Sequence, residues 1–88
     1  MSKYQTQLIN KYKKLGYIVI NVIKASESGY PDLILLKNGK ATFIEVKEGK
    51  DTLKPLQKYR IDQLIAYGFE SFCVHNEKGI IYGVDNNI

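Results

Sequence analysis

The sequence predicts an α/β fold, a small mixed β-sheet flanked by helices, in one domain over residues 1–88. Three observations lead there. Apolar residues recur at helical spacing through Tyr4, Leu8, Tyr12 and Leu15. Two strand-like runs are joined by Asn38-Gly39, the strongest short-range signal of a hairpin. A second helical stripe (Leu56, Ile61, Leu64, Ile65) follows Pro55 and stops at Gly68.

The elements follow in order. The first helix ends at Gly16, a residue suited to the left-handed position that closes a helix, with Lys11 and Lys14 off its apolar face. Lys11, Lys13 and Lys14 read as an exposed face, and Tyr4 and Tyr12 as core or interface residues. Tyr17 to Ile23 is β-branched and aromatic but for Asn21, which predicts a strand apolar on both faces. A polar loop, Lys24 to Gly29, precedes the hairpin strands Asp32–Lys37 and Lys40–Lys47. After a charged loop from Glu48 to Lys54 comes the second helix. Phe69 to Val74 is a further strand, and Ile80 to Val84 a possible last one. The expected order is αβββαβ.

Composition excludes several classes. The chain is 44% hydrophobic and 25% charged, too apolar for a disordered segment. No run nears the ~18 apolar residues of a membrane span, so no membrane partner is expected. The first residues hold no apolar signal-peptide core, which suggests a cytoplasmic location. A lone cysteine and a lone histidine offer no soft-metal cluster, so any metal would be a hard cation held by oxygen. Cys73 reads as a small buried hydrophobe and His75 as structural. The net charge of +4 permits a nucleic-acid partner without requiring one.

The hairpin carries the chemistry. With Asn38 and Gly39 as its two-residue turn, Lys37 pairs with Lys40 and the register sets Asp32 directly opposite Glu45. Opposed residues share a face, and alternation puts Lys47 on that face too. Two facing carboxylates repel. One ammonium cannot satisfy four carboxylate oxygens, whereas Mg²⁺ can bind through two carboxylates and keep waters for phosphate oxygens. The plainer alternative is a solvated surface cluster of Asp32, Glu45 and Lys47. Against it, Glu45 and Lys47 interrupt a run of core-type residues, Phe43, Ile44 and Val46.

At Pro31-Asp32 and Glu45-Val46-Lys47 the chain resembles the PD-(D/E)XK nuclease superfamily. "GYPDLI" followed by "FIEVKEGKDTLKPLQ" resembles its VRR-NUC branch. The resemblance implies a restriction-endonuclease-like core and a DNA endonuclease dependent on Mg²⁺ or Mn²⁺. It implies that Asp32, Glu45 and the Val46 carbonyl hold the metal. Lys47 would orient or deprotonate the attacking water, and Gln57 would lie beside the site. Gln57 also suits a capping role in the first helical turn. The family's acid in the first helix has no counterpart here; Gln5, Gln7 and Glu27 are the substitutes at hand.

Lys50, Lys54, Lys58 and Arg60 follow the catalytic strand and read as phosphate contacts, with Tyr30 a candidate for DNA contact. The expected partner is DNA, duplex or branched, and the expected assembly a homodimer similar to Holliday-junction resolvases. A phage origin would place the protein in a bacterial host's cytoplasm. Two other classes fit the same residues: a catalytically weak DNA-binding module, and an interaction protein with a solvated hairpin.

Overall fold

The computed structural model describes residues 2–84. Ser2 caps the first helix, α1 (Lys3–Lys14), its hydroxyl accepting from the Gln5 amide at 3.0 Å. Gly16, at φ +91°, ends it as the spacing predicts. Leu15 departs from the expected helical face and is 51% exposed, because it is already the cap residue, at φ −81° and ψ 3°.

Five strands follow: β1 (Ile18–Asn21), β2 (Leu33–Lys37), β3 (Lys40–Lys47), β4 (Glu70–His75) and β5 (Gly79–Val84). They lie in the sheet in chain order. Neighbours are antiparallel except β3 and β4, which are parallel and joined by α2 (Pro55–Ala66). A parallel connection needs such a crossover, because a tight turn cannot reverse the chain twice. The final segment is thus a true strand, paired with β4 through an irregularity at Cys73/Val74.

The hairpin register is the one the turn dictates. Asn38 (φ 53°) and Gly39 (φ 74°) both take the left-handed conformation, and Lys37 pairs with Lys40 through to Leu33 with Ile44. Leu33, Leu35 and Ile44 then point to one face, where they pack with Leu8 of α1 and Phe72 of β4. Each such side chain contributes ~1.5–3 kcal/mol by leaving water.

The other face of the sheet belongs to α2, which packs on β3, β4 and β5 and buries Ile61 completely. β1 lies at the far edge. Its face opposite α1 is therefore open, and Ile18 and Ile20 are 65% and 42% exposed. The apolar pattern of that strand implied burial on both sides; only one side has a cover. Among the described residues, no helix is long and apolar enough to cross a membrane.

Candidate active site

Asp32 stands one residue before β2, after a buried Pro31. Its carbonyl accepts from the Val22 amide at 2.7 Å, extending the β1–β2 ladder. Its Oδ2 accepts from the Val46 amide at 2.9 Å, which turns the carboxylate toward β3. Glu45, on β3, is 3% exposed and faces α2; Lys47 on the same face is 4% exposed. The opposition expected from the hairpin is real and electrostatically costly. Burial, first, and the neighbouring Asp32 charge and its hydrogen bond, second, push the Glu45 carboxyl up to about 8. Lys47 offsets part of this, its Nζ lying 3.6 Å from Glu45 Oε2.

The backbone between them is arranged for an oxygen ligand. In a strand, the N–H and C=O of one residue point to the same side. The Val46 N–H points toward Asp32, so its carbonyl points there too. Continuing the hairpin register past Leu33 and Ile44 sets Pro31 opposite Val46. Proline has no N–H, so the residue facing that carbonyl cannot donate to it.

Lys47 has a second partner that sequence reasoning missed. Asp51 Oδ2 lies 3.4 Å from Lys47 Nζ. Asp51 reaches back because residues 48–51 form a tight turn, with its N–H donating to the Glu48 carbonyl at 3.0 Å and Gly49 at φ 57°. The Glu-Gly-Lys-Asp stretch, read as a turn, was the signal available. The turn is tied to the end of β4. The Asn76 side chain accepts from the Gly49 amide at 3.3 Å, and His75 Nε2 lies 2.9 Å from the Gly49 carbonyl. His75 Nδ1 accepts from the amides of Glu77 and Lys78, at 3.1 and 3.3 Å, so Nε2 carries the proton and donates to Gly49. The histidine is structural, as expected. So is Cys73, fully buried beside Glu45 in the parallel ladder; burial pushes its thiol up to about 11 and keeps it protonated.

Gln57 stands in the first turn of α2 and beside Glu45. Its Oε1 accepts from the Lys54 amide at 2.9 Å, at the helix start. That fixes the amide so that Nε2 faces Glu45 Oε2, 3.5 Å away. The substitutes for a first-helix acid are differently placed. Gln5 Nε2 donates to Asn21 Oδ1 at 2.9 Å, Glu27 pairs with Arg60 at 3.0 Å, and Gln7 is exposed on α1. Lys50, Lys54 and Lys58 are exposed, with Lys58 Nζ 5.6 Å from the centre of the Tyr82 ring. Arg60 and Tyr30 turn inward instead, the guanidinium stacked 4.4 Å from the centre of the Tyr30 ring.

Among the described residues, no three Asp, Glu, His or Cys side chains converge as a metal cluster. The available donor set is two carboxylates and a strand carbonyl. All are hard oxygens, which fits Mg²⁺ or Mn²⁺ with waters completing the shell and does not fit a closed zinc site.

A family model for the VRR-NUC domain matches residues 2–77, nearly all of the chain up to β5. Among solved structures, one described as a VRR-NUC domain is similar with a TM-score of 0.69 and 27% identity, covering 78% of this chain and 76% of that one. The Holliday junction resolvase Hjc of Archaeoglobus fulgidus is similar with a TM-score of 0.64 and 19% identity, over 84% of this chain and 62% of that one. At that identity the likeness is one of fold. No curated protein matches the sequence.

Proposed function

Because the chain belongs to the VRR-NUC domain family, we propose that it is a Mg²⁺- or Mn²⁺-dependent DNA endonuclease that hydrolyses phosphodiester bonds in branched DNA as a homodimer. The observation that carries the reading is the pair of abutting carboxylates, Asp32 and Glu45, with the buried ammonium of Lys47 beside them. An isolated fold has no use for a buried acid that resists ionising beside Asp32; a cation lets both carboxylates be charged.

Asp32, Glu45 and the Val46 carbonyl would hold the ion. When bound, it supplies charge neutralisation at the phosphoryl oxygens and lowers the pKa of water to a useful range. Lys47 orients the attacking water and meets the charge that develops on the phosphate. Asp51 holds the Lys47 ammonium in place, and Gln57 directs its N–H at Glu45 so that the carboxylate keeps one orientation. Lys50, Lys54 and Lys58 extend the cationic surface along the DNA backbone and carry affinity without sequence preference. A two-fold dimer would present two such sites to a duplex or junction. The setting we infer is cytoplasmic, in a bacterial host if the chain is phage-encoded.

The test is cleavage of labelled duplex, single-stranded, flap and four-way-junction DNA in Mg²⁺, in Mn²⁺ and in EDTA. Cutting that requires the metal and favours a branched substrate is expected. The second reading, a DNA-binding module with little catalysis, is favoured by the lack of an acid in α1 and by Glu27 being paired with Arg60. It predicts salt-dependent binding with no cleavage in either ion.

The proline opposite Val46 allows a sharper check of the ligand set. Pro31→Ala returns an N–H that can occupy the Val46 carbonyl. It is expected to weaken Mn²⁺ binding roughly 10-fold, the usual scale for disturbing a ligand's surroundings, as measured by isothermal titration calorimetry. An unchanged affinity would remove Val46 from the ligands.

A further inference from the structure

Arg60 was counted above with the phosphate-contacting cations, yet its surroundings are those of a brace. Its side chain is 12% exposed. All three guanidinium nitrogens bond within the chain: Nε to the Ser28 carbonyl at 3.1 Å, Nη1 to Gln63 Oε1 at 3.3 Å, Nη2 to Glu27 at 3.0 Å. The Tyr30 ring stacks on its plane. A cation meant for phosphate has to present donors outward, and this one spends two on the loop before β2 and a third on Gln63 of its own helix.

That loop is also pressed onto α2. Gly29 sits at φ +86°, and a Cβ there would come within 2.6 Å of Leu56 Cγ and 3.1 Å of the Leu56 carbonyl. Glycine is required both for the conformation and for the approach. Immediately after Gly29 the chain runs through Tyr30 and Pro31 to Asp32. The turn of α2 on which the loop rests carries Gln57, which reaches Glu45. One side chain therefore spans from the segment holding one carboxylate to the helix that orients the other.

We propose that Arg60 is a positioning residue for the metal site: it clamps the Glu27–Tyr30 loop to α2 so that Asp32 stays against Glu45, and it is not a phosphate contact. This rests on the nuclease reading. The clamp needs the planar fork of arginine, because a lysine can pair with Glu27 but cannot also reach Ser28 and Gln63 in fixed directions.

The test separates metal from DNA. Mn²⁺ binding to the DNA-free protein would be measured by calorimetry for wild type, Arg60→Ala, Arg60→Lys, Glu27→Gln and Lys54→Ala. The salt dependence of duplex binding would be measured for the same proteins in Ca²⁺. Arg60→Ala and Arg60→Lys are expected to raise the Mn²⁺ dissociation constant about 10-fold, and Glu27→Gln a few-fold, all with the wild-type salt slope. Lys54→Ala should do the reverse, keeping metal affinity and lowering the slope by about 0.9. Glu27→Gln preserves most of the loop contacts and tests the clamp even if Arg60→Ala folds poorly. Wild-type metal affinity in Arg60→Lys and Glu27→Gln overturns the proposal. So does a slope lowered by about 0.9 in Arg60→Ala. If wild type binds no Mn²⁺ at all, the nuclease reading itself fails, an outcome distinct from the other two.

Discussion

Lys47→Ala and Asp32→Asn should each lower the single-turnover rate of DNA cleavage by about 10³-fold, the scale on which positioned acid–base groups and charge-stabilising donors act. The two variants should differ in everything else. Lys47→Ala leaves the carboxylate pair intact and should still bind Mn²⁺, its loss lying in the chemical step. Asp32→Asn removes a ligand charge and should lose the metal.

Asp32→Asn should also make the metal-free protein more stable. The asparagine oxygen can keep the bond from the Val46 amide, while the charge that presses on Glu45 disappears. A gain of about 1–2 kcal/mol is expected at pH 8 by urea unfolding, the familiar exchange of stability against a working site. A variant that is inactive and less stable would mean that Asp32 serves the fold and not a cation.

The second large effect is a dependence of stability on pH that metal reverses. The Glu45 carboxyl is raised from 4.5 to about 8 in the folded protein, mainly by burial. A raised pKa means that the folded state holds a proton the unfolded chain has released. The stabilisation is complete below about pH 4.5, drains away as pH rises toward 8, and is gone above it. The span corresponds to on the order of 5 kcal/mol. In EDTA, Tm should therefore fall by ~10 °C or more between pH 5 and 9 for a chain of this size. With Mg²⁺ present the trend should shrink or turn over, because binding displaces the proton and the ion gains a full carboxylate. Glu45→Gln should flatten both curves. Parallel curves with and without Mg²⁺ would show that the acid pair does not hold the ion.

What could be read without coordinates was whatever a local rule controls. Asn38-Gly39 fixed the hairpin register, and from it the opposition of Asp32 and Glu45 followed by counting. Gly16 and Pro55 marked helix ends for the same reason: each acts through its own backbone. Features set by tertiary placement were not legible. The exposed side of β1 depends on how far across the sheet α2 reaches, which no pattern in residues 17–23 encodes. Asp51 meets Lys47 only because a turn folds it back, and Arg60 turns inward only because Glu27 and Ser28 arrive beside it. A run of cations after β3 looks uniform in sequence; packing divides it into an exposed group and one arginine bonded within the chain.

The strands stand side by side in the order in which the chain makes them. This has a kinetic consequence. β1, β2 and β3 form by successive reversals, and only the β3–β4 contact must wait for a helix to be laid across the sheet. The shortest of these closures, the β2–β3 hairpin, already holds both carboxylates. Local pairings of this kind form early in a folding reaction because they close small loops. On that order the acids meet before α2 brings Gln57 to Glu45, and the cost of setting them together falls on the folding step itself. If Asp32 and Glu45 hold a divalent ion as proposed, that ion is expected to act as a nucleating ligand, raising the rate at which the chain folds as well as slowing the rate at which it comes apart.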